Sequence, residues 1–195
     1  MKAIFGIDEV GRGPVAGPVA VGAFVIKSKK LDLKKVKVPL RDSKKLSREQ
    51  REIWFAQIKI WQKENLCDFC VTMVSAKMID KIGIAKAIKQ ALEKSLYKLN
   101  PKNSDIVLLD GGLKAPVQFK NQKTIIKGDE KEQAISLASI CAKVTRDKYM
   151  FTQAKKFTQY GFENHVGYGT RRHYEALKKY GLIELHRKSF LKRII

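Results

Sequence analysis

The sequence predicts an α/β protein: a mixed five-stranded sheet with helices on both faces and a helical C-terminal region. Three observations predict it. Two apolar runs at residues 3–10 and 15–26 are separated only by Gly11-Arg12-Gly13-Pro14, an interval that favours a hairpin-like antiparallel return. A long amphipathic stretch at 79–99 then stands between this group and two short strand patterns, as a helical crossover would. The last third of the chain has helical periodicity almost throughout.

The elements follow in order. Residues 3–10 and 15–26 read as the first two strands, and 27–41 is basic and irregular. Ser47-Arg48-Glu49-Gln50 is a capping box, followed by Ile53, Trp54, Ile58 and Trp61 at helical spacing. Residues 66–74 form a third strand. The 79–99 helix carries Ile84, Ala87, Ile88, Ala91, Leu92 and Leu96 on one face and ends at Asn100-Pro101. Residues 105–110 and 123–127 supply the last strands; helices are expected over 129–157 and 170–180, the latter closed by Gly181. Mixed strand directions with helical crossovers put helices on both sides of the sheet.

A length of 195 residues fits one domain, 1–195, with residues from about 155 to 195 as a helical appendage. Apolar residues make up 44%, enough for a core, and no run reaches the ~20 residues that span a bilayer. The N-terminus enters a strand directly, so no secretory leader is expected. Cys67, Cys70 and Cys141 suit a reducing cytoplasm without disulfides. Cys67 and Cys70 form a CxxC, but on a strand residues three apart face opposite sides, which disfavours a metal or redox role. Forty basic and 19 acidic residues leave a net charge of 40 − 19 = +21, which points to a polyanionic partner; the plainer reading is a set of solvated lysine-rich helix faces.

Against that background, carboxylates inside apolar strands stand out. Asp8 and Glu9 close the first strand, Asp110 ends Ile106-Val107-Leu108-Leu109, and Asp129 follows Ile125-Ile126-Lys127-Gly128. In an open α/β sheet, ligands bind beyond such strand ends. Acids gathered there repel unless a cation lies between them, and hard oxygen ligands suit Mg²⁺ or Mn²⁺. Each acid also has a plain role: Asp129 could cap the next helix, and Asp110 could be a turn residue before two glycines. Strict alternation would turn Asp8 and Glu9 to opposite faces, so both reach one site only if the strand bends or ends there. The glycines at 11, 13 and 17 would let backbone approach a phosphate or ribose closely.

The stretch from Gly6 to Val19, with Asp8-Glu9-Val10-Gly11-Arg12-Gly13-Pro14, resembles the signature opening of ribonuclease HII. Further segments agree in order: Asp42-Ser43-Lys44-Lys45-Leu46-Ser47; Ile79-Asp80 through Ile84 and Ala87; Leu109-Asp110-Gly111; Gly128-Asp129; Ala138-Ser139-Ile140 to Arg146-Asp147; Gly167-Tyr168-Gly169-Thr170 with His173; and His186-Arg187 with Ser189-Phe190. Val166 stands where the family often has lysine, Leu137 replaces a small residue, and 182–185 lacks a common proline. Ribonuclease HIII is a similar sister family, but Pro14 after the loop and acids beginning at position 8 favour type II.

The resemblance implies a ribonuclease H-like fold. Asp8, Glu9, Asp110 and Asp129 would be the catalytic, metal-binding acids, serving two Mg²⁺ or Mn²⁺ ions in hydrolysis that yields 5′-phosphate and 3′-hydroxyl ends. The substrates would be RNA–DNA hybrids and DNA duplexes containing ribonucleotides. Gly11, Arg12 and Gly13 would read the ribose 2′-hydroxyl and Tyr168 would stack on the junction sugar, although Tyr168 alone reads better as a loop tyrosine packed on the surface. Lys44, Lys45, Lys143 and Arg146, with Arg171 and Arg172, are expected at the nucleic-acid backbone; Ser136, Ser139, Lys143 and Arg146 share one helical stripe beside the site. Asp147 is expected to be structural, pairing with Arg146 or a neighbour. No membrane, no obligate protein partner and a monomer are expected. The rivals are a non-catalytic basic nucleic-acid-binding protein and another metal nuclease or junction resolvase of the same fold.

Overall fold

The structure is a computed structural model that describes residues 2–192. Its strands are β1 (Ile4–Val10), β2 (Val19–Ile26), β3 (Cys67–Val74), β4 (Ile106–Asp110) and β5 (Gln122–Ile125). They form one sheet in the order β3-β2-β1-β4-β5. β1, β2 and β3 run antiparallel in succession, while β4 runs parallel to β1 and β5 parallel to β4. The predicted mixed five-stranded sheet is therefore the observed one.

The helices are α1 (Arg48–Lys63), α2 (Ala76–Ile82), α3 (Ile84–Leu99), α4 (Gly128–Lys131), α5 (Gln133–Lys156), α6 (Phe162–His165), α7 (Arg171–Tyr180) and α8 (Lys188–Leu191). Parity along the strands decides which helix each face meets. Phe5, Ile7, Val21, Val107 and Leu109 point to one side, where Ala87, Ile88, Ala91, Leu92 and Leu96 of α3 cover them. Phe24 points to the other side, against Trp54, Ile58 and Trp61 of α1 and Leu137, Ala138, Ile140 and Cys141 of α5. The capping box of α1 is present, with Ser47 and Gln50 bonded reciprocally.

Three expectations are corrected. The second strand begins at Val19 rather than residue 15, because the N–H groups of Val15 and Ala16 donate to Gly167 O and that of Gly17 to Leu185 O, tying 15–17 to the C-terminal region instead of β1. The single 79–99 helix is two, broken at Gly83 with φ +80°, a conformation that glycine adopts without a Cβ penalty. The 129–157 helix is also two, with Glu132 extended between α4 and α5. β1 runs through the acids to Val10, paired with Ala20, as the pattern over 3–10 predicts.

The C-terminal region has its own apolar cluster: Tyr160, Phe162, Ala176, Leu177, Leu185 and Leu191 pack on Val15, Ala16 and Met150. Residues 193–195 of the expected appendage lie outside the described residues. The three cysteines are buried and unbridged. Among the described residues no helix is long and apolar enough to cross a membrane.

Candidate active site

β1 and β4 are parallel neighbours, with Ile7 opposite Leu109, so Asp8 and Asp110 follow in step at adjacent strand positions. Both have the parity that faces α5. Asp129 comes to the same place from α4, a short turn entered through Lys127 with φ +54°. One carboxylate oxygen from each of Asp8, Asp110 and Asp129 lies within 4.8 Å of the others. The Gly128 N–H donates to Asp110 Oδ1 at 2.6 Å and fixes that carboxylate against the turn carrying Asp129. Asp129 makes no side-chain cap to its helix, so the capping role that the sequence allowed is not the one it fills.

Electrostatics describe a site short of positive charge. Burial pushes the Asp8 carboxyl up to about 8; the Ser139 hydroxyl opposes this, while the charges of Asp110, Glu9 and Asp129 add to it. Asp129 is also raised, by burial and then by Asp110 and Asp42. Like charges this close are tolerated when one is protonated or a cation sits among them. The converging groups are all carboxylates, hard oxygen donors without nitrogen or sulfur, which fits a divalent ion of the Mg²⁺ or Mn²⁺ kind.

Glu9 departs from the expected quartet. Strand alternation holds to the end of β1, so its side chain lies on the α3 face and stands 3.5 Å from Arg12 Nη1. Burial raises its carboxyl against the pull of Arg12, and the charge of Asp110 adds to the rise. Glu9 thus lies beside the three-aspartate cluster, outside its 4.8 Å spacing yet close enough for its charge to act on Asp8 and for that of Asp110 to act on it.

The basic residues divide. Lys44 Nζ lies 3.9 Å from Asp129 Oδ2, with most of its side chain in solvent. Burial works against its charge, yet Asp42, Asp8, Asp129 and Asp110 hold the ammonium above its usual range. Lys45 pairs with Glu130 at 2.7 Å. Lys143 is taken up by Asp147 at 2.9 Å, and Arg51 lies 3.8 Å from the same carboxylate, so Asp147 is structural through these two rather than through Arg146.

Arg146 is a correction. It is fully buried and donates to the carbonyls of Pro18, Val166 and Ala16, which removes it from any nucleic-acid surface. The stripe it shares with Ser136 and Ser139 is interior as well: Ser139 bonds Ser43 at 2.8 Å and Ser136 donates to Asp129 O. Arg171 and Arg172 are exposed on α7.

The glycine loop and Tyr168 meet. Gly11 has φ +85° and leaves no room for a side chain, since a Cβ would lie 2.1 Å from Arg146 Nε. A Cβ on Gly13 would stand 4.0 Å from the Tyr168 ring, which is 45% exposed. A cleft lined by Arg12, Lys89 and Lys114 opens on the α3 side. Sequence reasoning missed Asp42, whose buried carboxyl stands against Asp129, although its motif had been singled out. It gave no role to the buried Arg187, His173 and His186, although they lie in matched segments, and it passed over His165; none of them carries a periodic or strand-end signal.

Comparison with known proteins agrees with this picture. The family model for ribonuclease HII matches residues 5–193. Ribonuclease HII of Caldicellulosiruptor bescii is 46% identical over 98% of this chain and 88% of its own length. Among solved structures, the ribonuclease HII in a PCNA complex from Archaeoglobus fulgidus is 27% identical with a TM-score of 0.73, covering 94% of this chain and 93% of that one. Ribonuclease H2 of Pyrococcus horikoshii OT3 is 26% identical with a TM-score of 0.72, covering 98% and 96%. With a family match from strand β1 to the last helix and a 46% identical relative covered almost throughout, the chain belongs to the ribonuclease HII family of endonucleases.

Proposed function

We propose that this ribonuclease H cuts the RNA strand of RNA–DNA hybrids, and nicks duplex DNA on the 5′ side of an embedded ribonucleotide, at a two-metal centre built on Asp8, Asp110 and Asp129 with Glu9 at its edge. The observation that carries the reading is the convergence of three carboxylates from β1, β4 and α4, with Asp8 so buried that its charge is unfavourable without a cation. Mg²⁺ or Mn²⁺ held there would activate a water for in-line attack and stabilise the leaving 3′ oxygen, giving 5′-phosphate and 3′-hydroxyl ends.

The chain's own groups then have defined work. Asp110, locked by the Gly128 N–H, keeps one carboxylate oxygen within 4.8 Å of those of Asp8 and Asp129. Lys44 offsets part of the negative charge beside Asp129 and leaves its ammonium near solvent, where a substrate phosphate could meet it. Arg12, Lys89 and Lys114 offer positive charge along the cleft on the other side. Gly11, Arg12 and Gly13 present backbone to the ribose, and the Tyr168 ring offers the sugar a flat apolar face. Residues 1–195 act as a single catalytic domain with a helical appendage from about 155, whose cluster packs on Val15 and Ala16 beside the glycine loop. The enzyme works as a cytoplasmic monomer, in keeping with three free buried thiols.

The test is an end-labelled DNA duplex carrying one ribonucleotide, incubated with Mg²⁺, with Mn²⁺ and with chelator. The expected product is a single metal-dependent nick 5′ of the ribonucleotide, with no cutting of the all-DNA duplex. Tight binding without metal-dependent cleavage would return the protein to the class of basic binding modules. Cleavage of branched or all-DNA substrates would make it a different nuclease of this fold.

A further inference from the structure

The two elements that flank the ribose position both hang from one dipeptide, His186-Arg187. Arg187 is fully buried, and its guanidinium donates only to main-chain carbonyls: Nε to Gly17 O at 2.9 Å, Nη1 to Arg12 O at 2.9 Å and Nη2 to Gly11 O at 2.7 Å. Arg146 holds the far side of the same loop through Ala16 O and Pro18 O. Neither guanidinium forms a salt bridge among the described residues. A buried cation without a counter-ion is costly, and an apolar side chain could fill such space more cheaply.

What the charge accomplishes follows from peptide geometry. Among the described residues no cis peptide bond occurs, and in a trans peptide the N–H points opposite the C=O. Drawing the carbonyls of Gly11 and Arg12 inward turns the N–H groups of Arg12 and Gly13 away from Arg187. Neither N–H has a main-chain acceptor among the described residues, so two aimed donors are left beside Tyr168.

The other half of the dipeptide reaches Tyr168. The Ile183 N–H donates to His186 Nδ1 at 2.9 Å, so a neutral His186 carries its proton on Nε2. That N–H faces His173 Nε2 at 3.1 Å, which leaves the His173 proton on Nδ1, donating to Tyr168 O at 2.8 Å. One proton assignment satisfies all three contacts. Burial pushes both rings down to about 4, so they are neutral at working pH. The dipeptide is itself fixed: His186 bridges to Ala16, and Asp80 accepts from the N–H groups of Lys188 and Ser189.

We propose that His186 and Arg187 are positioning residues for ribose recognition. Arg187 aims the Arg12 and Gly13 N–H groups, and His186 acts through His173 to set Tyr168 opposite them. The inference rests on the ribose reading given under the proposed function, and it adds that discrimination is set from behind the loop by residues that never touch substrate.

The test compares binding of a duplex with one ribonucleotide to binding of its all-DNA counterpart by fluorescence anisotropy. Every protein carries Asp110→Asn, so that Mg²⁺ can be present without cutting. Arg187→Lys keeps the charge but loses the three-way fork; it should lower the preference for the ribonucleotide about tenfold while all-DNA affinity stays unchanged. His186→Ala should do likewise. His186→Gln, whose amide can still donate toward His173, should restore the preference. Circular dichroism checks folding, and if Arg187→Lys does not fold, the His186 pair decides. An unchanged preference in the folded variants, or equal weakening on both duplexes, overturns the proposal. No preference in the parent protein would remove the ribose reading itself and this inference with it.

Discussion

Asp8 is buried beside Asp110 and Asp129, and its carboxyl keeps a proton up to about 8, whereas a carboxyl of its type ordinarily releases one near 3.8. Between those values the native metal-free protein binds more protons than the unfolded chain. Its stability therefore falls as pH rises through that window, by up to about 1.4 kcal/mol per pH unit from this one group. The upward shifts of Asp129 and Glu9 have the same sign. Asp8→Asn should thus abolish cleavage, leave hybrid binding largely intact and, in chelator at pH 7.5, raise the thermal midpoint by roughly 2–8 °C. It should also flatten the loss of stability between pH 5 and 8. Differential scanning fluorimetry across pH, with and without Mg²⁺, checks this; a midpoint lowered at every pH would show that Asp8 is not strained by its neighbours. Asp8 and Asp110 were legible in the sequence because a carboxylate at an otherwise apolar strand position has few structural uses. Glu9 was legible as the acid next to Asp8, but the period of two turns its side chain toward Arg12, so its place beside the aspartates rests on the resemblance. Arg146 was misplaced because one cationic side chain reads alike whether it reaches solvent or a set of buried carbonyls.

At the scale of elements, the site depends on how closely α5 lies on the sheet. Gly6 of β1 and Gly22 of β2 face this helix at van der Waals distance: a Cβ on Gly6 would lie 2.1 Å from the Ala134 carbonyl carbon, and one on Gly22 would lie 2.3 Å from Ala138 O. Backbone cannot move aside as a side-chain tip can. Gly6→Ala must therefore lift the N-terminal end of α5, the end joined through Glu132 to the turn bearing Asp129. The expected cost is about 3 kcal/mol, at the upper end for overpacking, read as a lower urea midpoint with an unchanged slope. Catalysis should fall further than the residual folded fraction explains. Gly111→Ala is the contrast: nothing lies within 4 Å of its Cβ position, and only the positive φ of +57° opposes it, so the loss should be about 1–2 kcal/mol. The strands and α1 could be read from the chain because period and capping are local signals. The break at Glu132 could not, since no glycine or proline marks it, and the start of β2 could not, since residues 15–17 find their hydrogen-bond partners at Gly167 and Leu185, more than 150 residues away.

For the molecule as a whole, a surplus of 21 positive charges surrounds a site where Asp8, Asp42, Asp110 and Asp129 gather four of the 19 acids, with Glu9 at its edge. These opposite fields act at different ranges. The lysine-rich exterior attracts a polyanion from a distance, while the pocket repels the scissile phosphate at contact until divalent ions neutralise it. Salt and metal should therefore have separable effects on binding. In Asp110→Asn protein, hybrid affinity should fall steeply with KCl; about six phosphate contacts would give a slope near −5 in log K against log salt, a loss of about 10³ between 50 and 200 mM. Adding Mg²⁺ at fixed ionic strength should strengthen binding of the wild-type protein to a cleavage-resistant hybrid, because the pocket stops opposing the phosphate. The same addition should do less in Asp8→Asn, where one of the opposing charges is already gone. A salt slope shallower than about −2 would mean that the lysines are solvated faces without contact to the backbone. An equal response to Mg²⁺ in both proteins would place the ion's effect outside the aspartate cluster, on the nucleic acid itself.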